Sequence, residues 1–143
     1  MSTFRKLSDS VCASPQIEVS DVTAAKDDGF TLIVNNRPNG EEPSAPQGDV
    51  IAAAAAEAGI GYLEIPIGHS GFSEPQIDEM VAALANEDAK VLAYCRSGTR
   101  STFLWSLAEA KSGGDPDLIT AAAMQAGYDI SPIRPMIDML AAR

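Results

Sequence analysis

Cysteine, histidine and positive charge are all scarce in this sequence, and each shortage narrows what the protein can be. Two cysteines, Cys12 and Cys95, cannot build a disulfide framework, and their spacing has no metal-site pattern. Both read as free thiols in a reducing setting. Lysine and arginine together number 10 against 20 aspartates and glutamates, a formal charge of −10. That balance argues against nucleic acid and against an anionic membrane surface as partners. A local basic site inside such a molecule stands out electrostatically. No apolar run reaches membrane-spanning length, and the alanine-rich stretch from Ile51 to Ala58 is short and carries Glu57. Met1 to Lys6 lacks the apolar core of a signal peptide, so a cytoplasmic location is the expectation. No motif calls for a metal or a cofactor.

What is present fits one domain, residues 1–143, with 45% apolar and 21% charged residues and enough chain to bury a core. A helical run, a break and a short apolar strand recur along it. Ser20 to Asp28 reads as a helix capped by Ser20 and ended by Gly29, followed by the strand Phe30 to Val34. Asp49 to Ala58 reads as a second helix broken at Gly59, with Tyr62 to Pro66 as the next strand. Ser73-Glu74-Pro75-Gln76 has the spacing of a capping box and opens a third helix to about Ala85. Lys90 to Tyr94 is a strand that runs straight into Cys95. Helices alone follow: Thr99 or Arg100 to about Lys111, Asp115-Pro116 to Gly127, and a short one opened by Ser131-Pro132. Lys6-Leu7 and Val11 to Ile17 are candidate edge strands. The fold class is therefore α/β: a mainly parallel central sheet flanked by helices, with a helical C-terminal part. Met124, Met136 and Met139 are expected in the core.

The densest chemistry lies in Cys95-Arg96-Ser97-Gly98-Thr99-Arg100. A strand ends, a turn containing Gly98 follows, and a helix begins. Backbone N–H groups in such a turn converge, and the helix N-terminus adds positive potential. Arg100 can offer a bidentate fork to a tetrahedral oxyanion. The same field favours the anionic form of Cys95 and makes it a nucleophile. The hydroxyls of Ser97, Thr99, Ser101 and Thr102 are available to the thiolate or to a ligand, and Arg96 adds charge. A buried core cysteine is the ordinary alternative for Cys95, but it leaves two arginines and a glycine beside the thiol unexplained. For Cys12 a small buried side chain is the expectation.

Two further loops share the carboxyl edge of a parallel sheet, where ligands bind. Asn35 to Gly48 carries Arg37, which either overhangs the pocket and binds an oxyanion or pairs with Glu41 or Glu42 to shape the loop. Gly68 to Glu74 carries His69, the only histidine, which titrates near neutrality and could move a proton. Glu74 reads as a favourable first-turn charge. Phe103, Leu104, Trp105 and Leu107 suggest a helix buried on much of its circumference.

Tyr94 to Ser101 resembles the signature of the bacterial phosphatase-like domain related to beta-lactamase hydrolase-like proteins, and Asn35-Asn36-Arg37-Pro38-Asn39-Gly40-Glu41-Glu42 resembles its second hallmark. The resemblance runs from Phe4 to the C-terminal helices. It implies a dual-specificity phosphatase fold and a phosphocysteine mechanism on a phosphorylated small molecule or protein. Cys95 would be the nucleophile and Arg100 the oxyanion clamp. An aspartate usually supplies the leaving-group proton in such enzymes; here His69 and Glu74 are the substitutes on offer. Only four residues separate Cys95 from Arg100, a spacing shared with rhodaneses, so some relatives carry a sulfurtransferase label. A persulfide-carrying sulfurtransferase and a non-catalytic anion-binding module stay open beside the phosphatase.

Overall fold

The computed structural model describes residues 4–68, 70–86 and 88–143. Five strands form one sheet in the order β1-β2-β5-β3-β4. They are β1 (Arg5–Ser8), β2 (Val11–Ser14), β3 (Leu32–Asn35), β4 (Gly61–Glu64) and β5 (Val91–Tyr94). β2, β5, β3 and β4 run parallel, and β1 joins as an antiparallel edge through a hairpin with β2. Both low-signal segments near the start are thus strands, although β2 stops at Ser14, short of Ile17.

Side-chain alternation along the strands divides the core into two layers. Ile33, Leu92 and Tyr94 face α1 (Val19–Asp27) and α2 (Gly48–Ala58), meeting Val22, Ala25, Ile51 and Ala55. Val34, Val91 and Ala93 face the opposite layer of α3 (Glu74–Leu84), α4 (Thr99–Lys111), α5 (Pro116–Gln125) and α6 (Arg134–Ala141). In this layer α4 is central: Leu104, Trp105, Leu107, Ala108 and Ala110 are buried, and it touches α3, α5, α6, β2 and β5. A helix surrounded in this way is buried on much of its circumference, as its sequence suggested, and it buries Ser101, Thr102 and Ser106 beside its apolar residues.

The α3 capping box forms, with Ser73 Oγ accepting from the Gln76 N–H and Gln76 Oε1 accepting from the Ser73 N–H. Gly59 closes α2 in the left-handed conformation at φ +77°. Other boundaries shift. α1 begins one residue before Ser20, and Asp21 accepts the Glu18 N–H at 2.7 Å, so an acidic pair takes the place of the expected serine cap. β4 ends at Glu64, before Pro66, which has no N–H for a ladder. Two of the three methionines expected in the core lie on the surface, Met124 at 65% and Met139 at 53% exposure. Their neighbours Ala123, Ile137 and Leu140 fill the inward positions. Cys12 is only half-buried, against the α1–α2 layer. Among the described residues no helix is long and apolar enough to cross a membrane.

Register places Ser14, Tyr94, Asn35 and Glu64 in one row at the carboxyl end of the sheet. The ladder extends a step further, with Cys95 N–H donating to Ser14 O at 3.3 Å and Asn36 N–H to Tyr94 O at 2.8 Å. Cys95 and Asn36 therefore stand side by side where the strands stop.

Candidate active site

Cys95 is fully buried, and the Gly98 N–H donates to its sulfur at 3.2 Å. Gly98 adopts φ +93°, a left-handed conformation that turns the chain from the strand into α4. The loop is tied from three directions. Gln16 N–H, from the β2–α1 connection, donates to Arg96 O at 3.2 Å. The Tyr128 hydroxyl, from the turn after α5, donates to Ser97 O at 3.0 Å. Thr102, inside α4, donates to Gly98 O through both its N–H at 2.9 Å and its hydroxyl at 2.8 Å.

Arg100 extends from the first turn of α4 toward the β3–α2 loop. Its Nη1 donates to Glu41 Oε2 at 2.7 Å and to Ile67 O at 2.8 Å, and its Nη2 donates to Glu41 Oε1 at 2.9 Å. Glu41 thus takes the end of the planar guanidinium. The side edge, formed by Nε–H and the remaining Nη2 hydrogen, is the parallel fork left for an oxyanion. Arg100 is held above its ordinary value by the Glu41 hydrogen bond, against a downward pull from burial; the charge and hydrogen bond of Cys95 also raise it. The Cys95 thiol and the Arg100 guanidinium are therefore neighbours.

Glu41 also receives Arg37 Nε at 2.9 Å, while Arg37 Nη1 donates to Gln16 Oε1 at 3.0 Å. Its carboxyl is pulled down to about 2, chiefly by the Arg100 hydrogen bond, with burial opposing and Arg37 adding to the fall. The loop that presents Glu41 is internally braced: Gln47 accepts from Gly40 N–H and donates to Glu42 O and Ala45 O. Asn39 accepts the Gly48 N–H at the start of α2.

A cavity of about 450 Å³ opens above this arrangement, lined by Arg37, Glu41, Glu42, Gly68, Arg96 and Arg100. Three arginines against two glutamates leave this cavity with a small formal positive balance inside an acidic molecule. Arg37 lines the cavity and pairs with Glu41, so the loop-shaping contact offered for it is present. Ser97 and Thr99 hydroxyls bond to one another at 3.0 Å on the exposed side of the loop. Ser101, expected to meet an anion, is instead buried behind the loop, where it donates to Asn36 Oδ1 at 2.8 Å. Asn36 Nδ2 in turn donates to Ile65 O. Thr102 is likewise buried, bonded to Gly98 O. Once α4 starts at Thr99, positions 101 and 102 fall on its inner face. Glu74 is engaged by Lys111 and Arg143 and does not line the cavity. His69 lies outside the described residues.

Gln16, Glu41 and Tyr128 complete the site from segments distant in sequence. Glu41 carried a signal, its place in the Asn35–Glu42 motif; Gln16 and Tyr128 carried none.

A parallel sheet ending in a buried cysteine, followed by a glycine turn and an arginine at a helix start, defines a cysteine-phosphatase-like α/β domain. The chain superimposes on a Neisseria meningitidis Z2491 protein described as a phosphatase candidate, with a TM-score of 0.84, 28% identity, and 98% of this chain and 99% of that one covered. Tk-PTP in its active form matches at a TM-score of 0.72 and 19% identity, covering 99% of this chain and 97% of that one, a likeness of fold alone. Residues 3–112 match the family model of the beta-lactamase hydrolase-like protein, phosphatase-like domain. The chain belongs to that family. A beta-lactamase hydrolase-like protein of Xylella fastidiosa (strain Temecula1) is 36% identical over 103 residues, 71% of this chain. The chain spans about a quarter of that relative's length.

Proposed function

We propose that this chain is a cysteine-dependent phosphatase acting on a phosphate ester of a small molecule or a protein. The Cys95 thiolate attacks phosphorus; the S–P bond forms as the bond from phosphorus to the leaving oxygen breaks. His69 or another group gives that oxygen a proton. Water then displaces the sulfur, releasing inorganic phosphate and restoring the thiolate, with the same group accepting a proton back. The side edge of Arg100, Ser97, Thr99 and the loop amides bind the phosphoryl oxygens, and Arg96 and Arg37 hold the rest of the substrate. The observation that supports this most is the shared neighbourhood of the Cys95 sulfur, the Gly98 N–H and the Arg100 guanidinium.

The test is hydrolysis of para-nitrophenyl phosphate. The expected result is turnover that vanadate inhibits and that Cys95→Ser abolishes. Turnover that survives Cys95→Ser sinks the mechanism. The four-residue spacing between Cys95 and Arg100 favours one other reading, a sulfurtransferase that carries a persulfide on Cys95. Thiosulfate-to-cyanide transfer, with a mass increase of one sulfur on the Cys95 peptide, selects it. Phosphate binding with no turnover of either kind selects an anion-binding module.

A further inference from the structure

Tyr128 sits just after α5, on a turn where Gly127 takes φ +97°, and outside residues 3–112. Its ring is half-buried, and its hydroxyl reaches 31 positions back along the chain to donate to Ser97 O at 3.0 Å. That carbonyl belongs to the same peptide unit as the Gly98 N–H, which donates to the Cys95 sulfur at 3.2 Å. The unit is planar and trans, so its C=O and N–H point in opposite directions. Fixing the carbonyl on one side fixes the aim of the N–H on the other. The chain O–H···O=C–N–H···S is also cooperative, each bond polarising the next.

The surroundings are built for this contact. A Cβ on Gly98 would lie 2.0 Å from the Tyr128 hydroxyl oxygen, so the hydroxyl rests directly on the glycine. Arg5 braces the turn, its Nη1 donating to Ala126 O at 3.4 Å. Burial pushes the Tyr128 hydroxyl up from its ordinary value, with Arg5 pulling down and the Cys95 charge adding to the rise, so the hydroxyl remains a protonated donor.

We propose that Tyr128 is a positioning residue whose hydroxyl, through the Ser97–Gly98 peptide, aims an N–H at the Cys95 sulfur and sets how readily that thiol ionises. The proposal rests on the reading that Cys95 works as a thiolate. It acts at one remove: Tyr128 touches neither the sulfur nor the substrate.

The test is the pH dependence of Cys95 alkylation by iodoacetamide, read by mass spectrometry of the Cys95 peptide, in the full chain and in Tyr128→Phe. Loss of one hydrogen bond's polarisation raises the thiol midpoint by a few tenths of a pH unit. The acid limb of kcat/KM against para-nitrophenyl phosphate moves by the same amount. A merely structural tyrosine would lower the urea midpoint and leave the titration in place. If Tyr128→Phe does not fold, 3-fluorotyrosine at position 128 keeps the hydroxyl and makes it a stronger donor, and the midpoint moves down. An unmoved midpoint in the folded variant overturns the role of Tyr128 alone. A wild-type thiol that titrates like free cysteine overturns the thiolate reading beneath it.

Discussion

Replacing Glu41 by glutamine tests the geometry of the arginine clamp more sharply than removing the arginine. The carboxylate accepts from two nitrogens of Arg100 and from Arg37 Nε. Glutamine keeps the size but offers a single acceptor oxygen, and its NH₂ faces a guanidinium hydrogen. Hydrogen bonds to charged partners contribute about 1.5–3 kcal/mol each when well shielded. The Glu41 side chain is 26% exposed, so solvent reduces the expected loss to about 1–2 kcal/mol. Expressed in the positioning of the Arg100 side edge, that is roughly a 5- to 30-fold fall in kcat/KM for para-nitrophenyl phosphate and a similar weakening of vanadate inhibition. Urea unfolding reads the stability loss as a lower midpoint at constant slope.

The pH dependence supplies a second check with a fixed sign. The Glu41 carboxyl is lowered from 4.5 to about 2 in the folded protein, so the unfolded chain holds this proton more tightly. Its contribution to stability is complete above about pH 4.5 and is lost as pH falls toward about 2. Wild type and Glu41→Gln should differ at neutral pH and converge across that window. Vanadate that binds the variant as tightly as wild type, or more tightly, refutes the reasoning. Glu41 would then be an internal competitor for Arg100 rather than its support.

Two further substitutions separate the loop's scaffolding from its chemistry. Ser101→Ala leaves the buried Asn36 Oδ1 without its donor and should cost about 1–3 kcal/mol in urea unfolding; an unchanged midpoint would show that the hydrogen bond carries no weight. Gly98→Ala meets both φ +93° and the Tyr128 hydroxyl oxygen at 2.0 Å, so it should destabilise by more than about 1 kcal/mol and weaken vanadate binding. Combining it with Tyr128→Phe should recover part of that stability, and strict additivity of the two losses would exclude the clash.

The fold was legible because each level of the sequence agreed with the next. Apolar strands alternated with helices, and Gly59, the Ser73–Gln76 box and Asp115-Pro116 marked helix ends that the structure keeps. The core of the site was legible for a simpler reason: Cys95, Gly98 and Arg100 lie within six consecutive residues, so local chemistry alone brings them together. The partner of Arg100 lies 59 positions away, and only the parallel pairing of β3 with β5 brings the two loops to one edge. Helix phase misled the reading of Ser101 and Thr102, whose hydroxyls serve the interior. Met124 and Met139 follow helical spacing as well as Ile137 does, and periodicity without contacts could not tell the inner face from the outer.

The Cys95–Arg100 loop, the cradle of the proposed anion site, is held by capturing carbonyls. Three successive oxygens, those of Arg96, Ser97 and Gly98, are each bonded to a different part of the chain: Gln16, Tyr128 and Thr102. Each captured oxygen fixes the N–H of the same peptide unit on the opposite side, so the partners that hold the carbonyls also set the aim of the Ser97, Gly98 and Thr99 amides. Gly98 spends its N–H on the Cys95 sulfur, and Thr99 N–H makes a long contact of 3.4 Å to Ser97 Oγ. A chain with a formal charge of −10 thus gathers positive potential at one point without a net basic surface. The peptide dipoles of the loop and the braced Arg100 guanidinium contribute to that potential, and their aim depends on the elements that hold the loop's oxygens. It follows that substitutions behind the cradle, at positions that never meet a ligand, should change anion affinity as strongly as substitutions within the cavity.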